Sequence, residues 1–579
     1  MGGGGWGAVF SEGLSWGRSA EMRRAREHSS LNDAASAAAA AAPPTQADDD
    51  ENAEVKKMDF DDVLVEIGEF GRYQMLNYFL ICLPVFFGAA NSLSYVFTSG
   101  IPTYRCWIPE CDNITNPVYD ASWVSTAVPP GKECIRYAPY DNNTSDGTCP
   151  SNFTKKEISC DHFVFKDDEW TIVNEWDLTC PENLWKLSLV GTVHFAGILI
   201  GSSIFGLLAD KFGRKIILIL CILLMAVSGV AQALSTTYIA FQVFIFINAL
   251  GCAGVYPPAF IIGVELVGKN LREMSGIVLN YFYALGEAAV ALVAYLCRDW
   301  VRTQLVISAP AAIFAVYYWI IPESVRWLLV NNRTKAAEDI IKKAAVMNKV
   351  VLSDDLLKTI DMQKGQLTVS KRKPEEKTIW EAIVTVVKTK KLLLRSLYLF
   401  FIWAANAFVY YGLSINSTSL GGNKYLNFAL VALVEIPGYT ISWISMNRFG
   451  RRSSLVISML MCSATCLGAA FVPQDVNWAV VLLFLLGKLG ITCSFGIVVV
   501  YTAELYPTVM RSAGVGASST ISRLGAMVAP FVPLLGTYVE PLPLLLFGVV
   551  SLLAGVLSLL LPETLGRKLP DTVEDAQNL

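Results

Sequence analysis

The sequence predicts an all-α membrane protein with twelve spanning helices, arranged as two related six-helix bundles. Three observations carry this: a membrane-like composition, twelve apolar stretches of spanning length, and motifs that recur in the same order in both halves. Of 579 residues, 53% are hydrophobic and only 17% charged, and mean hydropathy is +0.45. Soluble domains carry a larger charged fraction than this. The net charge of -4 and short, separate basic clusters provide no stripe along which a phosphate backbone could lie. Nucleic acid is therefore excluded as a partner.

Apolar stretches of about 20 residues, enough to cross the hydrocarbon core as helix, begin near Met75, Leu184, Ile216, Tyr238, Met274 and Thr303. A second set begins near Leu392, Tyr425, Ser454, Trp478, Gly514 and Leu542. The expected organisation is a cytoplasmic tail over 1–57, a first bundle over 58–321, a central loop over 322–391, a second bundle over 392–562 and a tail over 563–579. The first tail holds a tract ending AAAAAAAPP and an acidic run DDDENAE, a composition expected to be disordered. It lacks the basic, apolar and small-residue succession of a cleaved signal peptide.

Lys and Arg orient the chain, because short basic loops are retained in the cytoplasm. They cluster at Lys211, Arg214 and Lys215; at Lys269 and Arg272; in the central loop; at Arg448, Arg451 and Arg452; at Arg511; and at Arg567 and Lys568. Each cluster follows an even-numbered span. Both termini are thus expected in the cytoplasm of a multi-pass plasma-membrane protein, with the segment 98–183 outside. That segment carries Cys106, Cys111, Cys134, Cys149, Cys160 and Cys180, and glycosylation sequons at Asn113, Asn142, Asn143 and Asn152. Six cysteines in a non-cytosolic loop suggest three disulfides, in any of fifteen pairings, over free thiols or a metal site. No CxxC spacing favours zinc.

Three motifs repeat at an offset of about 240 residues. GLLADKFGRK (206–215) recurs as WISMNRFGRR (443–452), VELVGKNLR (264–272) as AELYPTVMR (503–511), and PESVRWLL at Pro322 as PETLGRKLP at Pro562. Such duplication implies pseudo-twofold halves with a ligand site between them near the bilayer midplane. Gly206 and Gly213 suit close helix approach and a tight turn. Asp210 can pair with Arg214 or a neighbouring cation as a charge latch, joined by Glu265, Arg272, Arg451, Glu504 and Arg511; the plainer alternative is a basic loop that only sets topology.

With these motifs in view, the chain resembles the major facilitator superfamily. GLLADKFGRK is similar to that superfamily's signature. The long cysteine-rich outer loop, PESVRWLL, YYGLSIN, LVEIPGY and TAELYPTVMRSAGVGASSTISRLG narrow the resemblance to the organic cation, carnitine and organic anion transporters, over about residues 58–575. PESVRWLL alone would also fit sugar porters. The resemblance implies a major facilitator fold and transport of a small organic solute by alternating access, by a monomer in contact with membrane lipid.

Ionisable residues inside spans cost about 2.5–3.5 kcal/mol at the bilayer centre unless paired or hydrated. They are His194, Glu287, Glu435, Lys488 and Arg523. Arg523, in STISRLGAM, is placed to hold a substrate carboxylate through two parallel hydrogen bonds, or to form a packing salt bridge with Glu435 or Glu287. In the resembled family cation carriers tend to have an acid at this position and anion and carnitine carriers a base, and the SRLG context looks most like the carnitine branch. Lys488 and Glu435 are candidates both for the site and for pairing with one another. His194 is expected to be a satisfied interior histidine. Trp403 and Tyr410 share a face of the seventh span and Tyr283 shares one with Glu287; their rings attract an ammonium by about 0.5–2 kcal/mol each. Tyr256 occupies a position resembling a family substrate contact. Packing and interface anchoring are the ordinary uses of such aromatics.

No GxSxG, HExxH or Walker lysine is present, and three histidines supply a metal centre poorly. Neither an enzyme nor a nucleotide-driven pump is expected, and no cofactor or metal. The expected substrate is a small organic cation or zwitterion, carnitine-like or an amine conjugate, with an organic anion as alternative and a non-transporting receptor as a rival of another class. Coupling to Na+ or H+ is left open.

Overall fold

The computed structural model describes residues 60–113, 117–139, 149, 153–166, 169–353, 384, 388–473, 476–508 and 510–578. The alanine-rich tail, residues 354–383 and 385–387 of the central loop, and Asn142, Asn143 and Asn152 lie outside these residues. Among the described residues, eleven helices have the length and apolar character of spans: α1 Arg72–Thr98, α2 Cys180–Phe212, α3 Arg214–Ala233, α4 Tyr238–Leu266, α5 Lys269–Cys297, α6 Trp300–Ile320, α7 Lys390–Ser419, α8 Lys424–Phe449, α9 Arg451–Ala470, α10 Asn477–Leu505 and α11 Arg511–Gly536. α12, Leu542–Ser558, is apolar and slightly shorter.

Helix neighbours show the duplication directly. α1 packs on α5, α2 on α4, and α3 on α4 and α6; in the second half α7 packs on α11, α8 on α10, and α9 on α10 and α12. Between halves, α5 meets α8 and α2 meets α11, contacts that the same pseudo-twofold exchanges. Glycine sets the closest approaches: a Cβ at Gly286 would collide with the Phe86 carbonyl of α1, and one at Gly525 with the Ala404 carbonyl of α7. Small residues at such crossings replace hydrophobic driving force with backbone-to-backbone packing.

The motif GLLADKFGRK is not a loop, as its sequence suggested. Residues through Phe212 continue α2, and the chain turns only at Gly213, with φ of 108°; Gly450 turns α8 into α9 in the same way at 92°. Positive φ of this size favours glycine. Gly206, in contrast, makes no close approach, because nothing lies within 4 Å of where its Cβ would stand.

The lobe between α1 and α2 contains two antiparallel pairs, β1 Tyr104–Cys106 with β4 Phe163–Phe165, and β2 Ile135–Pro139 with β3 Phe153–Ser159. Cys106 is joined to Cys160, Cys111 to Cys149, and Cys134 to Cys180 at the first residue of α2. Arg105 meets Asp112 through two parallel bonds of 2.7 and 2.8 Å inside this lobe. Burial of that pair is offset by carbonyl acceptors at Cys106, Val118 and Tyr119. Asn113 is exposed on the lobe surface. After α6, helices Val325–Val330 and Thr334–Asn348 begin the central segment.

Candidate substrate site between the two halves

Packing leaves a polar cluster where α1, α2, α5, α7, α8, α10 and α11 converge. α8 is interrupted at Val434, so that Glu435 opens its second helical segment; a carboxylate is favoured there by the helix dipole. Tyr256 likewise opens the second segment of α4. Broken helices at a site between repeats are a recurrent solution in transporters.

Lys488 and Glu435 meet at 2.8 Å, each with a fully buried side chain. Lys488 also donates to Ser414 Oγ at 2.8 Å and to the Tyr410 carbonyl at 3.3 Å, and its ammonium stands 3.4 Å from the Tyr410 ring centroid. The Tyr410 ring therefore already faces a cation supplied by the protein, contrary to its expected role around a substrate ammonium. Trp403 is also committed, donating to Thr502 Oγ1 at 2.8 Å from a buried position.

Two charges remain uncompensated. Glu287 on α5 is 1% exposed, and its Oε1 has no hydrogen-bond partner among the described residues. Its helix α5 packs against the second segment of α8, which Glu435 opens. Arg523 on α11 forms no ion pair among the described residues, neither with Glu435 nor with Glu287. It reaches only the Tyr411 hydroxyl, at 3.4 Å, and its Nε is unpartnered. Around them, Tyr411 packs on Phe195 at 4.6 Å, and His194 approaches Ser92 Oγ at 3.3 Å and the Tyr95 ring at 5.3 Å. Tyr283 is half-buried, edge-on to Tyr256 at 6.0 Å, and the Tyr256 hydroxyl donates to Asn280 at 2.9 Å.

The latch residues divide by half. Asp210 pairs with Arg214 at 3.3 Å and Arg451 with Glu504 at 3.0 Å. Arg272 pairs with Asp61, which Arg326 shares. Burial opposes the Asp61 charge, but the two guanidiniums outweigh it and hold its carboxyl below the usual range. Glu265 accepts from Ser324, as Glu504 accepts from Thr564. Among the described residues, Arg511 Nε and Nη2 have no hydrogen-bond partner. None of these pairs crosses between halves.

Sequence reading missed the acids that organise these turns. Glu323 accepts the backbone N–H groups of Arg214 and Lys215, and Glu563 those of Arg451 and Arg452. They occupy matching places in the repeated PES and PET motifs, so the repeat itself held the signal. Also missed were Tyr411, and Glu169 with Lys424, an ion pair beside the cysteine-rich lobe. No local pattern marks these, since their partners are distant in sequence.

The halves close at the lobe end. Phe97 stacks on Tyr425 with centroids 5.5 Å apart, Tyr295 meets Tyr425 at 5.6 Å, and Thr192 donates to the Met527 carbonyl at 2.9 Å. Toward the other end the α2–α11 seam parts. Gly206 lies on the face of Thr192 and Gly516 on that of Arg523, by helical periodicity, yet each has open space where a side chain would stand. Along α5 and α8 contact persists, with Trp443 donating to Glu273 at 3.1 Å.

Comparison with known proteins agrees with this architecture. The family model described as "Sugar (and other) transporter" matches residues 118–575. An organic cation transporter protein of Drosophila melanogaster is 37% identical over 529 residues, covering 90% of this chain and 95% of the relative. Organic cation/carnitine transporter 2 of Rattus norvegicus is 33% identical over 534 residues, covering 89% and 93%. The partially occluded, inward-open xylose transporter XylE from E. coli superposes with a TM-score of 0.55 at 14% identity, over 84% of this chain and 98% of that one, a likeness of fold. The chain belongs to the sugar and other transporter family of the major facilitator superfamily, among the organic cation and carnitine transporters, and is a multi-pass secondary transporter, not an enzyme.

Proposed function

We propose that this chain carries small organic cations or zwitterions across the plasma membrane by alternating access. The observation that carries the reading is the pair of uncompensated charges, Glu287 on α5 and Arg523 on α11. These helices correspond under the pseudo-twofold and flank the central cluster. An amine at Glu287 and a carboxylate at Arg523 would satisfy both, and the half-buried Tyr283, one helical turn from Glu287, adds a ring for the ammonium. The names of the relatives, organic cation and organic cation/carnitine transporters, support the same class. The organic anion alternative loses one of its two cations, because Lys488 is neutralised by Glu435.

In this reading the cysteine-rich lobe is extracellular and both termini are cytoplasmic, supported by the basic clusters at α2–α3, α4–α5, α8–α9 and α10–α11. Three disulfides share the lobe with an exposed Asn113. A single chain holds both halves of the site, so a monomer suffices, with side chains such as Leu207 and Leu296 turned toward lipid. Uptake of radiolabelled tracers by cells expressing wild type, Arg523→Ala and Arg523→Asp tests the site. Carboxylated amines should lose uptake in both variants at matched surface amount, and amines lacking a carboxylate should be affected less. Undiminished uptake of the carboxylated tracers refutes the role of Arg523.

A further inference from the structure

Away from the central cluster, helix Thr334–Asn348 has two unlike faces. Thr334, Ala337, Ile341, Ala344 and Ala345 are buried against helices Phe60–Ile67 and Val325–Val330 and the start of α1. The opposite face presents Lys335, Asp339, Lys342, Lys343, Val346 and Met347, all exposed. With Lys349 just beyond the helix, four lysines stand against Asp339 and against Glu338, which pairs with Lys342 at 2.8 Å. Val346 is 78% exposed and Val351 is 93% exposed. Hydrogen bonds fix the depth at which this face lies. Asn348 accepts from the Tyr73 N–H at 2.9 Å and donates to Gln74 Oε1 at 2.8 Å and to the Ile67 carbonyl at 3.1 Å, while the Ser353 N–H donates to Glu66 at 2.6 Å. The helix therefore ends at the first turn of α1, where the span turns Met75, Leu76 and Phe79 outward and where Val65 and Phe70, just before it, are also exposed. At the other end, Trp327 Nε1 donates to the Asp210 carbonyl at 2.8 Å and ties the preceding helix to the α2–α3 turn. Close to that turn, Tyr318 and Trp319 are exposed at the end of α6, and the Lys215 ammonium stands 5.4 Å from the Tyr318 ring centroid. Exposed aromatics at span ends mark the headgroup level.

We propose that the exposed face of helix Thr334–Asn348 docks on the anionic lipid of the adjoining leaflet. Val346, Met347 and Val351 enter the boundary between headgroups and acyl chains, and Lys335, Lys342, Lys343 and Lys349 meet the lipid phosphates. Apolar side chains flanked by lysines at headgroup depth match both layers of such a surface, whereas a bare aqueous surface leaves the valines in water. The contact is separate from the central site and does not depend on the charge of the cargo. Because Asn348 joins this helix to the start of α1, docking ties the first half to the leaflet.

The test uses the purified full-length chain with Val346→Cys carrying a fluorophore, reconstituted into vesicles of acyl-brominated phosphatidylcholine with or without phosphatidylserine. The unsubstituted protein controls for labelling at Cys297, the free cysteine among the described residues that is not fully buried. Bromine quenches the label only where it reaches the acyl boundary. Quenching should be strong with phosphatidylserine, weaken in high salt and be largely lost in phosphatidylcholine alone. Adding Lys335→Gln and Lys343→Gln should lower the ratio of docked to undocked label about fivefold for each lysine. Equal quenching with and without phosphatidylserine overturns recognition of the anionic headgroup. Absence of quenching in both lipids overturns docking and leaves the face to another acidic occupant, such as the run DDDENAE of the chain itself. The lipid comparison is made on one labelled protein, so it decides the matter even where the lysine variant fails to fold.

Discussion

Lys488 concentrates the polar chemistry of the second half. Its ammonium meets Glu435, Ser414 and the Tyr410 ring and carbonyl at once, so its charge serves the protein before any cargo arrives. Removing one partner of such a buried pair strands the other. Lys488→Met alone should destabilise by roughly 3–5 kcal/mol, whereas Lys488→Met combined with Glu435→Gln should recover most of that loss. Thermal unfolding of the detergent-solubilised variants measures both. The double variant should remain poor in transport, because it also removes a buried acid of the central cluster. Sequence pointed to both residues, since a Lys and a Glu within spans are expensive. It could not decide between pairing and substrate contact, because they are 53 positions apart on different helices. The same ambiguity surrounded Tyr410, whose ring faces Lys488, and Tyr283, whose ring stands perpendicular to that of Tyr256.

At the scale of elements, the repeated turns show how one device serves both halves. A positive-φ glycine ends α2 or α8, and an acid from a distant motif caps the next helix, Glu323 for α3 and Glu563 for α9. The two acids are not electrostatically alike. Burial outweighs the N–H donors at Glu323 and raises its pKa, whereas at Glu563 burial is outweighed by the N–H groups of Leu565, Arg451, Thr564 and Arg452, which lower it. A carboxyl held lower in the folded state stabilises fully above its unfolded pKa and loses that contribution as pH falls through the folded value. Glu563→Gln should therefore lower the unfolding temperature at neutral pH, with the difference from wild type shrinking in acid. The same substitution at Glu323 should not shrink in that direction, because its raised pKa weakens the charged form as pH rises. Unfolding scans across pH separate the two. Close crossings give a second test: Gly286→Leu or Gly525→Leu should abolish correctly assembled protein, while Gly206→Ala and Gly516→Ala, facing open space, should express normally. Surface labelling and size-exclusion profiles report the outcome.

For the whole molecule, the seam between halves defines the state. The lobe end is held by Phe97, Tyr425 and the Glu169–Lys424 pair, and the α2–α11 seam is parted at the opposite end. Of the free cysteines among the described residues, all but Cys297 are buried, so cysteines introduced at Gly206 or Gly516 should react selectively with a polar thiol reagent. Glu169→Gln loosens the closed end and should slow that reaction by shifting molecules toward the state in which the seam is shut. An unchanged labelling rate would show that the ion pair does not bias the equilibrium.

The amino-acid sequence alone determined the spans, their duplication and the identity of the intramembrane charges, because these rest on local hydropathy, length and repetition. It also marked the six lobe cysteines without choosing their partners. Only the tertiary structure decided which charge meets which: Cys106 with Cys160, Lys488 with Glu435, and Glu287 and Arg523 with no counter-charge assigned to them alone. Such pairings depend on how helices far apart in the chain rotate and approach, and an electrostatic interaction is set by distance and burial, which no short stretch of residues contains.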